Sequence, residues 1–141
     1  MTTIINPTKD YVKTIRDAIS DKWDDGLAQD YAITSTERYL DGYPDILMID
    51  LIDDFPVAIL EASYMKHHFK YKHLYINRLS GIGEGGGKRL ITEIKELARR
   101  SSLTITVQSS VDSKSFYEKY GFQENILPEK VRNPYLLGWR I

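Results

Sequence analysis

At 141 residues, with 42% hydrophobic and 28% charged residues, the chain has the length and mix of one globular domain with one hydrophobic core. No apolar run reaches the ~18–20 residues of a membrane span, the opening Met1-Thr2-Thr3-Ile4-Ile5 carries no targeting signature, and the lack of cysteine excludes disulfides, thiolate metal sites and a cysteine nucleophile. Lys+Arg 19 against Asp+Glu 20 gives a net charge of −1, which supplies no global field for nucleic acid or an anionic membrane, so an anionic ligand must be held locally.

The first expected element is a helix over about residues 7–23. Asn6-Pro7 reads as its start, because asparagine caps free N–H groups and proline at the first helical position loses no bond. Val12, Ile15, Ile19 and Trp23 then recur at three- and four-residue spacing between charged residues. Residues 24–44 give mixed signals, with a short helix expected around residues 35–40. Two apolar runs, 45–52 and 56–62, flank Asp53, Asp54 and Phe55 and read as a hairpin with those residues at its turn. His73-Leu74-Tyr75-Ile76-Asn77-Arg78-Leu79 reads as a third strand entering a glycine run at Gly81.

Leu90, Ile91, Ile94, Leu97 and Ala98 keep helical period through Arg100. The β-branched run Leu103-Thr104-Ile105-Thr106-Val107 follows as a strand, then a short helix over about residues 113–120 stopped by Gly121, and a last strand over 135–141. Strands followed by strand–helix–strand give a mixed α/β sheet.

Gly81-Ile82-Gly83-Glu84-Gly85-Gly86-Gly87-Lys88 joins a strand to a helix, where backbone N–H groups and the helix dipole together favour an anion. Glycine lets the main chain approach a phosphate and adopt positive φ, at an entropy cost that a plain loop has no need to repeat. Gly81, Gly83 and Gly86 also match the dinucleotide pattern G-x-G-x-x-G, but the next strand ends at Val107-Gln108-Ser109 without the acidic residue that binds ribose. A P-loop is excluded by Ile82 and Arg89, which stand where it needs glycine and a hydroxyl residue.

A second motif, Ser115-Phe116-Tyr117-Glu118-Lys119-Tyr120-Gly121-Phe122, resembles the F-Y-E-K-x-G-F element of the GNAT superfamily of acyl-CoA N-acyltransferases, and Gly85-Gly86-Gly87-Lys88-Arg89-Leu90-Ile91 resembles that family's cofactor loop and helix start. The resemblance covers roughly residues 45–141. It implies one GNAT-like domain over 1–141, α/β with a mixed, mostly antiparallel central sheet flanked by helices. In this register the family's Arg or Gln falls on Ile82. A second register, Arg78-Leu79-Ser80-Gly81-Ile82-Gly83, restores the arginine but places Gly85, Gly86 and Gly87 inside the helix, at about 1 kcal/mol each relative to alanine. The family's Asn falls on Ser110 and its usual Ala on Ser113.

The resemblance further implies an acetyl-CoA-dependent N-acetyltransferase acting by direct attack, without metal. Gly83, Gly85, Gly86 and Gly87, with Ile82, Lys88 and Arg89, would hold the pyrophosphate; the backbone around 77–80, Leu79 included, would pair with the pantetheine arm; Ser110 would lie on the cofactor. Tyr117 would protonate the departing sulfur, a phenol of pKa ≈10 being a usable acid toward a thiolate. The amine, with a lysine-like pKa of ≈10.4, arrives protonated, and Glu61, an acid in an apolar strand, is the candidate base. His67, His68 and His73 have no acidic ligand in their stretch and read as lining an acceptor cleft. The expected acceptor is a small-molecule or peptide amine; membrane is excluded and nucleic acid disfavoured, a homodimer stays open, and the setting is cytoplasmic. A GNAT-fold binding module without turnover is the alternative, because Ile82 and Ser110 depart from the family pattern.

Overall fold

In chain order the elements are β1 (Thr2–Ile5), α1 (Lys9–Lys22), α2 (Gly26–Leu40), β2 (Ile46–Ile52), β3 (Phe55–Met65), β4 (His73–Gly81), α3 (Lys88–Ser101), β5 (Ile105–Gln108), α4 (Lys114–Lys119), a 3₁₀ turn at Glu124–Ile126 and β6 (Leu136–Trp139). The computed structural model describes residues 2–65, 72–82, 87–127 and 133–141. Among the described residues six strands lie in the order β1-β2-β3-β4-β5-β6, antiparallel at β1–β2, β2–β3 and β5–β6 and parallel at β4–β5. The fold is the α/β class expected, a mostly antiparallel sheet flanked by helices. Among the described residues no helix is long and apolar enough to cross a membrane.

The chain divides into two units, Met1–Ala62 with Arg78–Thr92, and Ser63–Asn77 with Glu93–Ile141. In the first, Val12, Ile15, Ile19 and Trp23 form a core with Ala32, Leu47, Ile49, Leu51 and Ile59, as the helical spacing of the α1 residues requires. The indole N–H of Trp23 donates to the Pro56 carbonyl at 3.0 Å. Thr8, not Asn6, caps α1 by accepting the Tyr11 N–H. Asn6 instead sits at φ 50, where its amide donates to Asp45 O (3.2 Å) and its Oδ1 accepts the Leu47 N–H (2.8 Å). It thereby joins the end of β1, a strand the sequence reading missed, to the start of β2.

α2 is far longer than the expected 35–40 segment. Asp25 caps it through the Ala28 N–H (3.2 Å), and Gln29 donates to the carbonyls of Ile19, Ser20 and Trp23 at the end of α1. Its buried residues, Ala32, Ser35 and Thr36, are small or polar, so no apolar stripe marks it in the sequence. The hairpin has a tighter turn than expected: Asp53 and Asp54 (φ 50 and 62) form it alone, and Phe55 already pairs with Ile52.

In the second unit β4 and β5 share the rungs Leu74↔Ile105, Tyr75↔Thr106 and Ile76↔Val107. α4 ends as glycine dictates. Gly121 (φ 90) donates to Glu118 O and Phe122 to Tyr117 O, a Schellman closure whose apolar contact is Phe122 on the Tyr117 ring, centroids 5.5 Å apart. Trp139, on β6, has Lys95 Nζ 5.2 Å and Arg99 Cζ 5.3 Å from its ring.

Candidate functional site

The glycine run leaves β4 through Ile82, whose N–H donates to Val57 O (3.0 Å) and whose side chain packs on the core of the first unit. Gly83, Gly85 and Gly86 lie outside the described residues, as do His67 and His68. Gly87 is buried at φ 95, and its carbonyl accepts the first bond of α3, from Ile91 N–H at 3.0 Å. Gly87 therefore precedes the helix. A Cβ on Gly87 would lie 3.3 Å from Leu79 Cδ2. Gly87→Ala should accordingly cost about 1–2 kcal/mol, the strain of a side chain at positive φ. Urea unfolding of the two proteins checks this, and equal midpoints would show that the helix start has no need of glycine.

Lys88 opens α3 and is exposed, its carbonyl accepting the Thr92 hydroxyl. The next residue turns the other way. Arg89 donates through Nε (2.9 Å) and Nη2 (2.7 Å) to one oxygen of Asp50, a β2 residue only 2% exposed. Asp50 Oδ1 and Arg89 Nη1 are buried and have no hydrogen-bond partner among the described residues. Asp50 is a carboxylate inside the apolar run Ile46–Ile52, a placement that demands a counter-ion.

Glu61 is fully buried on β3 rather than at a solvent edge. Its Oε1 accepts Arg78 Nη1 (2.9 Å) and the Ser35 hydroxyl (3.1 Å), and its Oε2 accepts Arg38 Nε (2.8 Å). Both oxygens are thus engaged, with partners from α2 and β4. Nothing in the sequence pairs residue 38 with residue 61. Arg38 also lies over the Tyr43 ring, 5.2 Å from its centroid.

β4 outruns its parallel partner. The last rung with β5 is Ile76↔Val107, whereas the strand continues to Gly81, so the segment holding Leu79 has no β5 ladder bonds. His73 lies buried at the start of β4.

Tyr117 is buried on α4, edge-on to Phe116 (5.3 Å) and to Phe122. Burial pushes its phenol well above the ordinary value of 10.0, and Tyr75 adds to the rise. An ordinary phenol already carries its proton at neutral pH, and burial extends that range upward. Ser110 starts the turn into α4 by a reciprocal pairing with Ser113. Ser110 N–H donates to Ser113 Oγ (2.9 Å), Ser113 N–H to Ser110 Oγ (3.1 Å), and the hydroxyls lie 2.9 Å apart. The two serines hold each other.

Among solved structures, the chain is similar to the AtaT-AtaR complex bound to DNA, at 16% identity and TM-score 0.73, covering 99% of this chain and 94% of that one. It is also similar to a GNAT family acetyltransferase from Brucella melitensis in complex with acetyl-CoA (12% identity, TM-score 0.65, 99% and 88% covered). A third is the aminoglycoside N-acetyltransferase AAC(6')-Iy in complex with CoA (15% identity, TM-score 0.62, 87% and 89% covered). No curated protein sequence matches. The family model described as Acetyltransferase (GNAT) domain matches residues 54–135, more than half of the chain, and with the same fold in those structures it follows that the chain belongs to the GNAT acetyltransferases.

Proposed function

We propose that the chain, acting as a single domain over 1–141, moves an acetyl group from acetyl-CoA to an amine by direct attack. The observation that carries the reading is Tyr117, a phenol buried on α4, edge-on to Phe116 and Phe122, at a helix end closed by Gly121. Bound acetyl-CoA supplies the activated acyl group as a thioester. The chain's residues do the rest. The N–H groups of the first turn of α3 lack helical acceptors and, with exposed Lys88, favour the pyrophosphate at that helix start. Gly83, Gly85, Gly86 and Gly87 let the backbone approach it. The β4 segment around Leu79, free of β5 bonds, offers main-chain groups to the pantetheine amides. Tyr117 Oη holds the proton that a departing sulfur requires, and the same burial that raises the phenol also disfavours a bare thiolate.

We assign four residues parts other than those expected. Arg89 is tied to Asp50 and Ile82 N–H to Val57, so we assign both to holding the loop rather than to touching phosphate. Both Glu61 oxygens are engaged by guanidiniums, so we assign it to positioning Arg38 and Arg78 and leave the amine's proton to water. Ser110 anchors α4. The turnover-free binding module gains support from the same engagement of Arg89 and Ile82. The AtaT neighbour's complex with AtaR makes a protein partner a further reading, tested by co-purification.

Acetyl-CoA should raise the melting temperature by an amount that grows as RT ln(1 + [L]/Kd), whereas ATP and NAD should not. Differential scanning fluorimetry at graded ligand concentrations measures this. Equal shifts with all three ligands, or none with acetyl-CoA, would end the assignment. A shift without release of free thiol would favour the binding module.

A further inference from the structure

The Arg38–Glu61–Arg78 group carries more charge than a structural ion pair needs. One buried carboxylate faces two guanidiniums, leaving one positive charge over, and the arginine side chains are 35% and 33% exposed. A guanidinium has five N–H donors. Arg38 gives only Nε to Glu61 and Arg78 only Nη1, so among the described residues most of their donors stay uncommitted. Among the described residues none of their remaining nitrogens is both buried and unpartnered, and both side chains are about a third exposed. Glu61 holds the two forks in place, and Tyr43 lies under one of them. Two oriented guanidiniums match the oxygens of a carboxylate or phosphate.

Ser80 is the second observation. It follows Arg78 by two residues on β4 and so shares its face of the sheet. It is 5% exposed, yet its hydroxyl has no hydrogen-bond partner among the described residues. Native chains seldom leave a buried hydroxyl unpaired, whereas an incoming polar group would satisfy it. Both residues lie on the β4 segment beyond the last rung with β5, the segment assigned above to the pantetheine arm.

We propose that Arg38, Arg78 and Ser80 bind an anionic group of the acceptor, so that the substrate class is an amine that also bears a carboxylate or phosphate. This rests on the acetyl-transfer reading and narrows it. The test is binding by matched pairs to protein saturated with CoA, which keeps phosphate probes off the helix start. The pairs are N-acetylglycine against N-acetylglycinamide, and O-phosphoethanolamine against ethanolamine, measured by calorimetry. The charged member of at least one pair should bind about tenfold or more tightly than its neutral partner, the pair showing which anion is used. Arg78→Gln and Arg38→Gln should each shrink that ratio severalfold. If either fails to fold, Arg78→Lys and Arg38→Lys keep a charge on Glu61 and should lower the ratio by removing the fork. Equal or absent binding by both members of both pairs overturns the proposal, as does a ratio unchanged in folded variants. Should CoA itself not bind, the acetyl-transfer reading fails, and the same titrations on the protein alone still judge the anion site.

Discussion

Tyr117→Phe should lower acetyl transfer by about 10²-fold or more while the protein stays folded and binds acetyl-CoA almost as before. The substitution keeps the ring, and with it the edge contacts to Phe116 and Phe122 that seat α4. It removes only the proton at Oη. Release of free thiol from acetyl-CoA at saturating cofactor serves as the rate until an acceptor is found. A folded variant with the full rate would remove Tyr117 as the acid and leave Tyr120 to be tested. The raised phenol adds a pH signature. Because the folded state holds this proton more tightly than the unfolded chain, the contribution to stability is complete below pH 10 and declines as pH rises beyond it. Ionisation of Tyr117 should therefore put no falling limb on the rate profile below pH 10.

Arg89→Ala should destabilise the protein by about 3–5 kcal/mol, the usual loss when one partner of a buried ion pair is removed. Asp50 is left almost wholly buried with no cation beside it. Asp50→Ala should cost less, since the Arg89 side chain is 29% exposed and can turn to water. A double change to apolar residues of similar volume, Asp50→Leu with Arg89→Met, should recover much of the loss. Chemical denaturation of the three variants measures the order. Arg89→Ala as stable as wild type would mean the pair contributes nothing to the fold.

How far the sequence reveals this depends on how far apart the interacting residues are. α1, the β2–β3 hairpin, α3 and the α4 closure are all written in spacings of two to four residues and in Gly121, and each forms where that local pattern places it. β1 escapes notice because four residues, two exposed and two half-buried, make no period, and their pairing, Ile4↔Ile49, joins residues far apart in the chain. α2 is hidden for another reason. Its inward residues are alanine, serine and threonine, and its start depends on Asp25 and on Gln29 reaching back to α1. The site divides similarly. Tyr117 is legible because its motif is its own helix cap. Glu61 and Arg89 are visible as charges in odd places, but their partners Arg38, Arg78 and Asp50 come from other elements, and a carboxylate's role changes once its oxygens are occupied.

The chain has two tryptophans, and one falls in each unit. Trp23 is enclosed in an apolar core with its indole N–H on a carbonyl, whereas Trp139 lies beside two cationic side chains. The two emitters sit in different electrostatic surroundings, so intrinsic fluorescence contains two separable signals. In Trp139→Phe the emission follows only the first unit, and in Trp23→Phe only the second. Denaturation curves of these two proteins, corrected for each substitution's own effect on stability, superimpose if the chain loses its structure in one cooperative event and separate if one unit opens before the other.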